Sequence, residues 1–301
     1  MKPAPFKKLA VLGLGLLGGS VALAVKERGL AETVVGAARR RGPLEQALEA
    51  GVIDAIESPM EAVAGADFVV LAMPVGSMAR VLSEVSPNLE SGSIVTDVGS
   101  VKGIVVDQLP GLLPAGVDFV GSHPMAGSHL RGPQYARADL FEGATCVVTP
   151  RGAKDDRATL RVKEFWRSLG ACVTSRTPAE HDDDVAWVSH LPHLLSFAFA
   201  QSLSAAPERV GELAGSGFND FTRIAKSDAE LWSEILSLNS KALSGALGHF
   251  SESLSEVARI LEEGDAESLE HWLHQARTSL AAVAAKGAAV RAGSSSKMNK
   301  E

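Results

Sequence analysis

Apolar and polar positions alternate along the chain in two different styles. Over roughly the first 175 residues, short β-rich apolar runs at Leu9–Leu14, Thr33–Ala37, Asp67–Met73, Ser93–Val98, Asp118–Gly121, Thr145–Thr149 and Ala171–Ser175 predict strands. Between them, helical spacing predicts helices over Gly18–Arg28, Pro43–Ala50, Met78–Val85 and Asp156–Leu169. Strands separated by helices form βαβ units and a mainly parallel sheet. Near residue 176 the strands stop. Thr177-Pro178-Ala179-Glu180 is a capping box with proline at the first helical position, and Ser227-Asp228-Ala229-Glu230 is a second one. Long helical patterns follow over 178–206, 229–262 and 266–291, with Pro192 expected to kink the first of them. The expected domains are an α/β sheet domain over 1–176, an all-α domain over 177–291 and a polar, flexible tail over 292–301.

Composition narrows the class. The chain has 301 residues, 46% of them hydrophobic and 22% charged, with a formal net charge of −7. That balance argues against a nucleic-acid surface or a polybasic membrane patch, and no window is long and apolar enough to span a bilayer. The N-terminus lacks a signal-peptide pattern, so the expected location is cytoplasmic. Cys146 and Cys172 lie inside apolar strand-like runs, where they read as small core residues.

The glycine pattern Gly13-Leu14-Gly15-Leu16-Leu17-Gly18 sits between the first strand and the first helix. In that place Gly13 makes the tight turn and Gly15 lets a pyrophosphate approach the backbone of Leu16 and Leu17. Gly18 lets the helix pack on the strand, with phosphate charge at the positive helix end. The first domain is therefore expected to be a Rossmann-type dinucleotide-binding domain. An NAD site usually carries a carboxylate at the end of the second strand, to hold the ribose hydroxyls. Here the strand runs into Ala38-Arg39-Arg40-Arg41, which favours NADP over NAD through Arg39 and Arg40, unless this is only a solvated basic loop. Met73 and Pro74 end a central strand and either line the adenosine or ribose side or simply terminate it.

Candidate chemistry gathers at the same sheet edge. The run Gly121-Ser122-His123-Pro124-Met125-Ala126-Gly127-Ser128 puts an imidazole just past a strand. Asp97-Val98-Gly99-Ser100-Val101-Lys102 ends another strand, with Ser100 either a functional hydroxyl or a helix cap. In the second domain, Ser189-His190-Leu191-Pro192-His193 places two histidines on one helix face. No Cys, Asp or Glu completes a metal set at recognisable spacing, so no metal is expected. Arg223, among aromatics in Phe218–Asp228, could hold a carboxylate through its fork or be an ordinary surface cation.

Taken together, Gly13–Gly18, Asp97–Lys102, Gly121–Gly127, His181-Asp182 with Ser189–His193, and Asp220–Asp228 with Trp232 resemble the prephenate/arogenate dehydrogenase family of tyrosine biosynthesis, over about residues 8–290. The resemblance implies an NAD(P)-dependent oxidative decarboxylation of a cyclohexadienol: prephenate to 4-hydroxyphenylpyruvate, or arogenate to tyrosine. It implies that His123 takes the ring-hydroxyl proton as hydride leaves the same carbon, and that Ser100 positions that hydroxyl. It implies that Arg223 anchors a substrate carboxylate, that His193 lines the pocket, and that the helical domain forms a homodimer.

One departure touches the substrate. Several family members carry a Thr-Glu pair where this chain has Ser128-His129, with Arg131 beyond. Ser128 can keep a hydroxyl role, while His129 and Arg131 remove a carboxylate that could have met an ammonium group. This tilts the expectation toward prephenate, a keto acid, over arogenate, an amine. Alternative readings are another two-domain dehydrogenase acting on β-hydroxyacids or imines, and a non-catalytic dinucleotide sensor. The chain ends soon after the helical region, so no regulatory domain or fused mutase is expected, and feedback by tyrosine is left open.

Overall fold

The computed structural model describes residues 5–127, 130, 132–150, 152 and 156–298, with side chains of the last helix described to residue 287. The N-terminal half is one eight-stranded sheet in the order β3-β2-β1-β4-β5-β6-β7-β8. Its strands are β1 (Phe6–Leu12), β2 (Ala31–Ala37), β3 (Ala55–Ile56), β4 (Phe68–Leu71), β5 (Ile94–Asp97), β6 (Asp118–Pro124), β7 (Thr145–Thr149) and β8 (Cys172–Ser175). The helices of this half are α1 (Leu16–Glu27), α2 (Arg41–Glu49), α3 (Pro59–Val63), α4 (Val75–Val85), α5 (Gly103–Gln108) and α6 (Arg157–Ser168). All strand pairs are parallel except β6–β7.

The sheet is buried on both faces because its strands are apolar at every position rather than at every second one. In β1, Leu9 and Val11 face a core with Phe68, Phe165 and Trp166, on the α1 and α6 side. Ala10 and Leu12 face the opposite core, with Met78 and Leu82 of α4 and Val105 of α5. Register then aligns the carboxyl edge: Leu12 lies beside Ala37 and Leu71, Leu71 beside Asp97, and Thr96 beside Val120. Strand order reverses between β2 and β4 around β1, which places a crevice after β1.

From Pro178 onward the chain is helical: α7 (Pro178–Val185), α8 (Leu191–Ser202), α9 (Ser216–Thr222), α10 (Ala229–Leu238), α11 (Ser240–Glu263) and α12 (Ala266–Met298). The Thr177 capping box forms as expected, with Thr177 accepting from the Glu180 N–H. The second cap is shifted by one residue. Asp228, not Ser227, accepts from the Leu231 N–H, because Ser227 is taken up closing the 3₁₀ turn Arg223–Lys226. Instead of one kinked helix over 178–206, a π-type turn at Ala186–His190 separates α7 from α8. The wider turn puts Pro192 in the first turn of α8, where its missing N–H costs little. Helix 229–262 likewise divides at Asn239. The last helix continues to Met298, past the start of the expected tail, with no proline to end it, and 299–301 lie outside the described residues.

The shared core of the helical half is small, centred on Ala186, Leu191, Leu243 and Ala246. Leu254, Leu261, Leu273, Leu280 and Val283 of the two long helices are all at least half exposed, a surface that one chain alone leaves uncovered. Among the described residues, no helix is long and apolar enough to cross a membrane. Cys146 and Cys172 are both buried free thiols, as the strand pattern implied.

Candidate active site

The glycine loop has the shape that a dinucleotide phosphate needs. Gly13 has φ +101°, and a Cβ there would meet the Ala72 carbonyl oxygen at 2.6 Å. A Cβ on Gly18 would lie 2.0 Å from the Gly13 oxygen, whereas Gly15 has nothing of the protein within 4 Å of such an atom. Two of the glycines therefore serve packing, and Gly15 borders open space. Helix α1 begins at Leu16, two residues earlier than the Gly18 start expected, with Gly15 as its N-cap and no side chain capping it. The N–H groups of Leu16, Leu17 and Gly18 are thus in the first turn, where an anion is favoured. Met73 and Pro74 follow β4, and Pro74 is the N-cap of α4, at the same edge. Arg39 and Arg40 are exposed after β2; among the described residues neither has an ion-pair partner, whereas Arg41 pairs with Glu45 at 2.8 Å. These residues fit a dinucleotide.

His123 lies inside β6, not beyond it. The strand pairs with β5 through Val120, then turns to antiparallel pairing with β7, with His123 opposite Val147. Continued pairing with β7 lengthens the strand past the expected Gly121 and fixes the imidazole on rigid backbone. Beneath it, the Asp97 carboxylate accepts from the Ser122 N–H at 3.0 Å and the Gly99 N–H at 2.8 Å, and forms a fully buried ion pair with Lys102. The Ser122 hydroxyl donates to the Asp97 carbonyl at 2.5 Å and accepts from the Trp166 indole at 2.9 Å. Ser100 sits half-buried on the loop that this carboxylate holds. It is not a helix cap, since Lys102 occupies that position of α5.

The sequence named His181-Asp182 only as part of a pattern; the fold makes both central. His123 Nδ1 is 2.9 Å from His181 Nε2, and His181 Nδ1 is 2.8 Å from Asp182 Oδ1. The same carboxylate accepts the backbone N–H groups of Lys102 at 2.7 Å and Gly103 at 2.8 Å, bridging the helical half to the Ser100 loop. Those bonds hold the Asp182 carboxyl below its ordinary range against the opposing effect of burial. An ionised carboxylate only accepts, so His181 donates from Nδ1 and accepts at Nε2. His123 then donates from Nδ1, which leaves its Nε2 as a bare lone pair. Burial, followed by the neighbouring His181 and the Lys102 charge, holds His123 well below its ordinary value and therefore neutral near pH 7.

A second group lies on the helices. The His193 ring stacks on Trp232 of α10, with centroids 3.6 Å apart, and its Nδ1 donates to the Ser189 carbonyl at 2.8 Å. Burial lowers the His193 pKa, and the nearby Arg223 charge adds to this. Arg223 is exposed, at the start of its 3₁₀ turn. His190 meets the same Trp232 edge-on, as the shared face implied, but is fully buried beside His181, and burial pushes it down to about 4. Ser128, His129 and Arg131, at the departure noted above, lie outside the described residues. Among the described residues, no cluster of three or more ligating side chains could hold a metal ion.

The profile for "Prephenate dehydrogenase, nucleotide-binding domain" matches residues 21–175, and that for "Prephenate dehydrogenase, dimerization domain" matches 177–275. The chain belongs to the prephenate dehydrogenase family. It is 34% identical to the prephenate dehydrogenase of Bacillus subtilis (strain 168) over 277 residues, 89% of this chain and 74% of that protein. It is 30% identical to the cyclohexadienyl dehydrogenase of Zymomonas mobilis over 282 residues, 92% and 96% of the two chains. Among solved structures it resembles prephenate dehydrogenase from A. aeolicus in complex with hydroxyphenyl propionate and NAD+. The TM-score is 0.84 at 31% identity, over 92% of this chain and 98% of that one. This membership makes the chain an oxidoreductase with a nucleotide-binding sheet domain and a helical second domain, excluding the non-catalytic sensor reading.

Proposed function

We propose that this enzyme oxidatively decarboxylates prephenate, with arogenate as the second candidate substrate, and that His123 is its general base. The observation that carries the reading is the chain Asp182–His181–His123, which leaves a bare, neutral imidazole nitrogen on His123 near the carboxyl edge of the sheet. Such a nitrogen accepts the ring-hydroxyl proton as the carbinol C–H leaves as hydride. The proton's charge then spreads toward Asp182 through His181. Ser100, on the adjacent loop, orients the hydroxyl. Carbon dioxide departs with its C–C electrons left in the ring, which becomes the aromatic phenol.

The nicotinamide supplies the hydride acceptor when bound. Gly13, Gly15, Gly18 and the N–H groups of Leu16 and Leu17 would hold its pyrophosphate. Met73 and Pro74 border it, and Arg39 and Arg40 meet a 2′-phosphate, so NADP is the proposed preference. Arg223, with the His193–Trp232 stack beside it, is assigned to a substrate carboxylate, and Ser128 and His129 to the substrate side chain. The exposed apolar positions of α11 and α12 suit a homodimer through the helical half, in the reducing cytoplasm. The test is His123→Asn beside Arg223→Ala. The first should lose kcat by about 10³-fold or more with substrate binding nearly kept, and the second should mainly raise KM. Near-normal turnover of His123→Asn removes the base assignment.

A further inference from the structure

Asn239 has no place in the motifs above, yet it is buried, with 5% of its surface exposed, at the joint between α10 and α11. Its Nδ2 lies 2.7 Å from the Asp182 carbonyl oxygen and 3.0 Å from His190 Nδ1. A carbonyl only accepts, so the atom facing it is the amide nitrogen, and both of its hydrogens are used. His190 Nδ1 must then be bare, which puts that ring's proton on Nε2. One amide thus ties together three segments: α7 with Asp182, the π-type turn ending in His190, and the helical joint itself. Asp182 in turn grips the Ser100 loop and orients His181 against His123.

We infer that Asn239 is a positioning residue for the reaction: by holding the Asp182 backbone and the His190 tautomer together, it sets the angle at which His181 presents its lone pair to His123. This rests on the functional reading above only where turnover is concerned. The geometry behind it is simple. Asp182 and His181 are adjacent on one helix turn, so a rotation of α7 that breaks the Asn239 bond swings both the carboxylate and the imidazole. A displacement of about an ångström in such a chain costs roughly 10²-fold in rate. The titratable and charged groups acting on the His123 ring are His181 from α7, Lys102 from the loop after β5 and His190 from the π-type turn, with the buried Cys146 of β7 against the His123 backbone and Asp97 of β5 paired to Lys102.

Two variants test this, Asn239→Asp and Asn239→Ala. The first keeps the shape but removes both donors and offers an acceptor to His190; the second removes the bracket. In ¹⁵N-labelled unliganded enzyme, long-range imidazole ¹⁵N–¹H spectra should show His190 protonated on Nε2 and His123 on Nδ1 in the wild type. Asn239→Asp should move the His190 proton to Nδ1 or protonate both nitrogens. In turnover, both variants should lose roughly 10- to 100-fold in kcat, and the acid limb of kcat/KM should move upward in Asn239→Asp, which adds a carboxylate beside the histidines, and downward in Asn239→Ala, where protonated His123 is less well supported. Dissociation constants for NAD⁺ and NADP⁺ should stay within about twofold, and melting should remain cooperative. Unchanged histidine tautomers in either variant overturn the inference. So does a loss of kcat that merely follows a smaller folded fraction, with the pH profile unmoved. If the wild type oxidises no cyclohexadienol, the functional reading fails while the spectra still decide the role of Asn239.

Discussion

Replacing the Asp182 carboxylate by its amide, Asp182→Asn, is the most informative single change in this molecule. Oδ1 accepts from His181 Nδ1 at 2.8 Å and the Lys102 N–H at 2.7 Å, and Oδ2 accepts from the Gly103 N–H at 2.8 Å. An amide has one oxygen. If that oxygen stays toward His181, its NH₂ faces the Gly103 N–H, donor against donor, and one charge-assisted bond of about 2 kcal/mol is lost. The other two weaken by about 1 kcal/mol each as the charge disappears. If the amide turns over, His181 must reverse its tautomer, and His123 must follow, placing a proton where the lone pair is needed. Either way, the protonated His123 loses the negative charge that stabilises it. The combined cost of about 4 kcal/mol appears partly as stability and partly as a 10²- to 10³-fold fall in kcat. Steady-state kinetics with thermal melting of the same sample measures both. A variant with kcat within about threefold of wild type would show that His123 needs no orienting carboxylate.

Three further outcomes follow from the geometry. Gly15→Ala should fold normally but bind cofactor at least about tenfold more weakly, whereas Gly18→Ala should destabilise the protein itself, because its Cβ would meet the Gly13 oxygen at 2.0 Å; equal effects in melting and cofactor titration would contradict the division of roles. Arg39→Ala with Arg40→Ala should lower kcat/KM for NADP⁺ by about tenfold and leave NAD⁺ nearly unchanged, and an unchanged ratio would remove the 2′-phosphate assignment. Stability should fall on acidification, because the buried histidines have folded pKa values below their unfolded value of 6.5. The sign is that of a base kept neutral: stability is fully present above pH 6.5 and is lost as pH falls toward the folded value. For His190 that value is about 4, and the loss is about 3 kcal/mol across the window. Denaturant midpoints at pH 7 and pH 4.5 should differ accordingly, and less so in His190→Phe.

Much of this was legible in the sequence, for identifiable reasons. Strands such as Thr145–Thr149 and the Thr177 cap depend on local chemistry, and both formed where expected. The two-residue β3 and the capped α3 were too short to show a period. The break at Asn239 interrupts a continuous apolar pattern, so only tertiary bonding reveals it. The same holds for the site. Gly15 and His123 carry strong local signatures. His181 sits 58 residues beyond His123 in a different domain, and its contact exists only after folding. A histidine followed by an aspartate in the first turns after a cap is the available signal, but nothing in its spacing says that it reaches His123. Helical spacing pairs His190 with His193, and both rings meet Trp232; what the spacing does not show is that His190 is fully buried and bonded to Asn239.

The proposed role of this site is to remove hydride from a cyclohexadienol whose hydroxyl proton passes to His123. It is tested most directly by assaying prephenate and arogenate, each with NAD⁺ and with NADP⁺, in wild type and His123→Asn enzyme. The expected result is reduced cofactor and carbon dioxide in equal amounts from wild type, highest with prephenate and NADP⁺, and a loss of about 10³-fold or more in the variant. No turnover of either substrate with either cofactor, or turnover that survives in His123→Asn, would contradict it.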